Sequence, residues 1–350
     1  MLHSFLRLNR WIRPLLLAAL LVFAATRPAP ASAVSGEGSQ IGSLPVRQAA
    51  AIAALGWLHV LQAADGTIGG MGDSCDMAWV VAKAGENPGG LAWMPGATSL
   101  LDACAADVPI YLARRDTGRM AKVLRAVVAA GADARHFGGL DLVAELEARY
   151  SPATGLYEPN FFYRHALAVT ALAEAGRPIP PGVLPASLGQ QRPDGSWSWA
   201  VEADLSDGFQ TPGDLDATGV TLQALRAAGL PLYHPAYSKG LNYILSLQHA
   251  DAGWGLRDGP TNSNSTALAI AGILAAGWDP ESSLFLRGGG SPLSVLLGFQ
   301  EASGAFVFRY GAEESRSMAT YDGVGVLMQT YPGDAAKPLR MYLPVVAVGS

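Results

Sequence analysis

Charge, cysteine and long apolar runs are all scarce in this sequence, and each shortage excludes something. Lys and Arg number 24 against 29 Asp and Glu in 350 residues, a formal net charge of −5. With no basic excess, nucleic acid and anionic membrane surfaces are not expected partners, since both are gripped by clustered cations. Two cysteines, Cys75 and Cys104, leave room for one disulfide or for two buried thiols. Beyond the N-terminus no stretch approaches the roughly 20 apolar residues of a membrane span. What remains is a chain with 50% hydrophobic and only 15% charged residues, the composition of a large buried core.

The first 33 residues read as a signal peptide. Arg7, Arg10 and Arg13 precede the apolar run "PLLLAALLVFAA", and "APASA" offers a cleavage site after Ala33. The expectation is a secreted or periplasmic protein, its leader either cleaved or kept as an N-terminal anchor. Loss of the leader removes four arginines and no acid, which takes the net charge from −5 to about −9. Residues 34–45 read as a linker, 46–332 as the folded domain and 333–350 as a tail.

The folded part repeats itself. "QQRPDGSWSWA" (Gln190 to Ala200) and "LQHADAGWGL" (Leu247 to Leu256) share a Gln, a polar turn and a Trp, and relatives surround Gly66, Gly118, Gly155 and Gly304. A second phrase follows the turns: "DSCDMAWVVAKAG", "RHALAVTALAEAG", "ATGVTLQALRAAG" and "STALAIAGILAAG" align without gaps. Each is apolar nearly all round, rich in helix formers and closed by Gly, so each reads as a buried helix. The segments before the turns are amphipathic. About six helix–turn–helix repeats follow, and the expected fold is all-α, an α6/α6 toroid with the apolar helices inside. An open solenoid is the competing arrangement; it is disfavoured because the last inner segment, "YDGVGVLMQTYPG", is as apolar as the rest. The Trp turns are read as architecture, with Trp197 and Trp254 covering helix ends and Gln bonding terminal backbone groups.

The Gln–x–x–Asp–Gly–x–Trp phrase resembles the prenyltransferase/squalene oxidase repeats of squalene–hopene cyclases. The paired helices resemble the wider terpenoid cyclase/prenyltransferase toroids. In style the inner helices are most similar to the α-domain of intrinsic factor and transcobalamin-like proteins. That last resemblance implies a non-catalytic module for a small molecule, with a corrin such as cobalamin as ligand, and a partner domain or protein to close the mouth.

Ligand-binding candidates sit where the inner helices begin: Asp73, Asp76, Tyr163, His165, Asp214, Asp216, Asn262, Asn264, Tyr321 and Asp322. Helix capping competes for each of them. "DLDAT", from Asp214, resembles the DxDD motif of class II terpene cyclases and implies Asp216 as proton donor, an acid its neighbours would make unusually strong. Ala217 stands where the third acid belongs, the two following helices carry no aromatic residue, and the two-domain cyclases hold substrate between domains. Cyclisation is therefore the alternative to binding. Asp73, Cys75 and His165 resemble the zinc ligands of protein prenyltransferases, across one whole repeat. Glu158, Glu202, Asp204 and Asp207 are candidates for paired-carboxylate sugar chemistry, and Trp197, Trp199 and Phe209 for a lid.

Overall fold

The computed structural model describes residues 42–69, 73–202, 208–309, 315–332 and Asp334. The leader, the linker up to residue 41, Asp204, Asp207 and the tail other than Asp334 lie outside the described residues.

Among the described residues twelve α-helices alternate between two layers. The inner layer is α2 (Asp73–Lys83), α4 (Thr117–Ala129), α6 (Phe162–Glu174), α8 (Leu215–Ala227), α10 (Ser263–Ala275) and α12 (Arg316–Leu327). Each packs on the next, and α12 packs on α2, so the ring is closed rather than open. Around it run α1 (Leu44–Leu61), α3 (Leu100–Ala113), α5 (Leu142–Glu147), α7 (Val183–Gly189), α9 (Pro235–Ser246) and α11 (Pro292–Gly298). The expected all-α toroid is the fold found. Among the described residues the only β pairing is isolated bridges in loops, such as Phe137 with Leu140.

The inner helices are apolar all round because they have two dry sides, one against the outer layer and one against the barrel interior; α10 is buried almost continuously from Ser263 to Ile273. Small residues let them close up. A Cβ on Gly219 of α8 would meet the Leu268 carbonyl of α10 at 2.3 Å, and one on Gly272 would meet Gly219 at 2.9 Å. Five inner helices end in the same way. Gly85, Gly131, Gly176, Gly229 and Gly277 all have positive φ. The glycine N–H and the one after it fold back on the last carbonyls, as Gly85 to Ala82 and Glu86 to Val81.

The repeated turns are a bonding device. Gln62, Gln191, Gln248 and Gln300 each donate one amide hydrogen to the carbonyl four residues on, at 2.8–3.1 Å. The second goes to the next repeat's outer segment, at the carbonyls of Trp93, Ala236, Phe285 and Ala50. The bond from Gln300 to Ala50 joins the last repeat to the first. Trp197 and Trp254 are fully buried, and their Nε1 atoms donate to Ser187 and Ile244 in α7 and α9 at 2.8 Å. They lock the outer helices to the inner core; they do not merely cover an end. Two details of the repeat alignment are corrected. In the fifth turn the left-handed position is Ala252 (φ 75°), one residue before Gly253, and Gly118 is the second residue of α4 and turns nothing.

A second clasp closes the ring. Buried Arg47 of α1 reaches both oxygens of Asp334 at 2.6 and 2.7 Å, bonds the Leu327 carbonyl at the end of α12 and that of Gln329 just beyond, and lies 3.8 Å over the Tyr331 ring. Against the expectation of no such stretch beyond the N-terminus, α1 is by length and composition apolar enough to cross a membrane, yet one side of it packs on α12. Cys75 and Cys104 form a disulfide between α2 and α3, with Cα atoms 4.6 Å apart.

Candidate functional site

The candidates at the start of the inner helices divide into caps and interior groups. Asp214 accepts the Ala217 N–H at 2.8 Å and Asn262 accepts that of Ser265 at 2.8 Å, so both are N-caps. Asp73 lies in the first turn of α2 against Gly69. His165 does not belong to the mouth. Its Nδ1 accepts the Tyr157 N–H and its Nε2 meets Ser187 Oγ, the place that Thr218, Thr266 and Thr320 hold in other repeats by accepting the N–H of Trp197, Trp254 and Phe306. Burial pushes its pKa down to about 3, so it is a neutral structural imidazole between layers. With Cys75 in the disulfide and His165 turned to α7, the zinc set of Asp73, Cys75 and His165 is not assembled.

The remaining candidates meet inside the barrel. Counting back from each closing glycine shows how: Tyr163, Asp216 and Asn264 stand thirteen residues before theirs, and Asp76 and Lys122 nine before theirs. Asn264 Nδ2 donates to Asp322 Oδ2 at 2.6 Å. Asp76 Oδ2 receives Lys122 Nζ at 2.9 Å and Arg119 Nη1 at 3.2 Å. Lys122 lies 4.0 Å over the Tyr321 ring, which packs on Trp79 at 4.5 Å. One turn further, Arg125 lies 4.8 Å over Trp79 and forks onto Glu174 at 2.8 and 3.0 Å. Lys122, Arg119, Arg125 and Trp79 were not among the sequence candidates. The signal was there in Gly131: aligned on it, "TGRMAKVLRAVVAAG" puts Lys122 and Arg125 in the interior columns.

The acids at this end differ in their surroundings. Burial, then the charge of Asp214, push Asp216 up to about 7, against a hydrogen bond from Ser265. Its Oδ1 is buried without a partner. Asp322 is pushed up to about 6, chiefly by burial, with Lys122 and Asn264 opposing. Tyr163, between Asp216 and Asp322, is raised well above the usual tyrosine value by burial and by both acids. The expectation of an unusually strong acid at Asp216 is thus reversed. It is a weak acid, protonated below about pH 7 and only partly ionised at neutral pH.

The other candidates lie apart. Glu202 accepts the Thr211 N–H at 2.6 Å and Glu158 that of Asn160 at 3.4 Å, each within its own loop, so among the described residues these two form no carboxylate pair. Trp197 is core and no lid, whereas Trp199 stacks on Phe161 and Phe209 lies under Arg192 at the rim.

No family model matches the sequence, and no curated protein matches it. Solved structures do. A type II terpene cyclase from Scytonema superposes with a TM-score of 0.55 at 14% identity, over 81% of this chain and 98% of its own. The same enzyme in complex with geranylgeranyl dihydroxybenzoate as substrate gives 0.54 at 13% identity, over 81% and 97%. A protein from Actinoplanes gives 0.53 at 16% identity, over 81% and 98%. The likeness is one of fold. It nevertheless overturns the reading as a non-catalytic, corrin-type module, because the described toroids of this form include cyclases holding substrate and product. It also removes the objection that a second helical domain is required, since a cyclase chain is covered almost whole by this one. The chain has the α/α-toroid fold of terpenoid cyclases.

Proposed function

We propose that the protein is a type II terpene cyclase and that Asp216 starts the reaction by protonating an alkene of a prenyl chain. The observation that supports this most is Asp216 itself, a buried carboxyl only partly ionised at neutral pH, with one oxygen unpartnered, at the place of the middle acid in DxDD. Fold likeness to a single-toroid cyclase adds to it.

In this mechanism the alkene π pair takes the Asp216 proton, forming a C–H bond and a tertiary carbocation. Asp216 is left as carboxylate. Successive alkenes attack, each forming a C–C bond, and the last cation loses a proton, so the product is an isomer of the substrate. An acid near 7 is poorly matched to an alkene, so the barrier must be lowered at the cation. The carboxylate left behind and the aromatic faces beside it supply that stabilisation. Those faces are Tyr163 and Tyr321; they come from α6 and α12, not from α8, which carries Asp216, or from α10. A ring that holds the Lys122 ammonium at 4.0 Å has the quadrupole that favours a carbocation. The missing third acid, Ala217, is fully buried in α8, and the charge beside Asp216 comes instead from Asp214 and Asp322.

The test is turnover of squalene, geranylgeraniol and geranylgeranyl dihydroxybenzoate, read by mass spectrometry of extracted products. A cyclic isomer from at least one is expected, with Asp216→Asn lowering its rate at least 100-fold and leaving the circular dichroism unchanged. No product from any of them, or product insensitive to Asp216→Asn, overturns the proposal.

A further inference from the structure

The end of the barrel away from Asp216 is concave. Where the inner helices finish, a cavity of about 350 Å³ opens to the surface. Trp79 and Arg125 line it, together with the apolar Ala227, Leu274, Gly325 and Met328. Gln223, Gln329 and Thr170 line it as well; Gln329 Nε2 gives one hydrogen to Gln223 Oε1 at 3.3 Å and Gln223 Nε2 one to the Gly219 carbonyl, which leaves each amide a second N–H. The volume lies in the range of small-molecule sites.

Its charge runs against the rest of the protein. The chain carries a net −5, yet this cavity is lined by Lys83, Arg125 and Arg226 against one acid, Glu174. Glu174 is taken by the two bonds from Arg125. The side chains of Lys83 and Arg226 make no hydrogen bond or ion pair with any described residue, which leaves two cations to spare. Helix ends are the ordinary use for such cations, because the last carbonyls carry partial negative charge. Here those carbonyls are already bonded. Gly85 and Glu86 take Ala82 and Val81 in α2, and Gly229 and Leu230 take Arg226 and Leu225 in α8. Lys83 is partly buried beside Trp79, and burial holds its pKa below the usual lysine value against the pull of Glu174. A buried ammonium in that state is short of an anion.

We propose that this cavity is a binding site for a small amphipathic anion, a carboxylate or phosphate head on an apolar body. Lys83 and Arg226 hold the head, the amides of Gln223 and Gln329 hydrogen-bond to it, and the body lies on Leu274, Met328 and the Trp79 face. The site is separate from Asp216, which does not line the cavity: Asp216 is the second residue of α8, whereas Gln223, Arg226 and Ala227 line it from the other end of that helix. It stands whether or not the chain is a cyclase.

The probes are decanoate, decanol of equal length and inorganic phosphate, each titrated by calorimetry against the whole protein. Decanoate is expected to bind at least tenfold more tightly than either of the others. Lys83→Gln combined with Arg226→Gln should erase its advantage over decanol, with the circular dichroism unchanged, and Asp216→Asn should leave decanoate binding as it was. Four results would overturn the proposal: decanol binding as well as decanoate, phosphate binding as well as decanoate, an unaffected double variant, or equal weakening by Asp216→Asn. If the double variant fails to fold, Leu274→Gln in the apolar lining takes its place and should weaken decanoate at least fivefold; no change there counts equally against the site.

Discussion

Two sets of polar side chains are buried in this toroid, and they are treated differently. In the ring of turns, Gln62, Gln191, Gln248 and Gln300 spend both amide hydrogens on carbonyls, and the Trp197 and Trp254 N–H groups are bonded. One oxygen, Gln248 Oε1, goes without. Inside the barrel, carboxyls are buried beside one another, and Asp216 and Asp76 each keep an unpartnered Oδ1. An unpaired neutral acceptor costs about 1–3 kcal/mol. An unpaired carboxylate costs far more, and burial of this kind is what raises the pKa of Asp216. The turns are built for stability and the interior for a charge that has yet to arrive. Substitutions in the turns should therefore lower stability at every pH, whereas those in the interior should change reactivity and the shape of the pH dependence.

The largest effect on stability belongs to the turns. Trp254→Ala empties a fully buried site and orphans the Ile244 carbonyl, and should cost about 3–5 kcal/mol in urea unfolding, equally at pH 5 and pH 8. Gln300→Ala comes next. It removes the bond to Ala50 that joins the last repeat to the first and should cost roughly 1–3 kcal/mol. If closure matters beyond the bond itself, hydrogen exchange will rise in both α1 and α11. Exchange rising in α11 alone would make Gln300 a local turn residue.

The turns were legible in the sequence for the reason that makes them stable: Gln, a left-handed residue and a large ring at fixed spacing repeat because one bonding pattern repeats. The closing glycines were legible likewise. Interior groups carry no such period, since each repeat contributes a different residue to the same column: Lys122, Asp76, Leu167 and Val220 are equivalent by position and unlike in chemistry. His165 misled for the complementary reason. It replaces a threonine in a structural bond, and a rare residue type in a common role looks like function. Asp216 was found by its neighbour Asp214, but the direction of its pKa was not, because burial outweighs the neighbours and sequence does not show burial.

The smallest expected effects separate the two acids of "DLDAT". Asp216 has its pKa raised on folding, so between about 4 and 7 the folded protein binds more protons than the unfolded chain. Stability then falls as pH rises through that window and levels off above it. Asp322, raised to about 6, adds a fall of the same sign. Asp216→Asn cannot titrate, so its unfolding free energy should lose less between pH 4.5 and 7.5 than that of the wild type; parallel curves would mean that Asp216 is ionised in the fold and cannot be the donor. Asp214→Ala should behave otherwise. Loss of the cap costs about 1 kcal/mol at all pH values where Asp214 is charged. Loss of its charge lets Asp216 ionise more readily, so the decline in turnover with rising pH should begin at lower pH than in the wild type. An unmoved profile would reduce Asp214 to a cap alone.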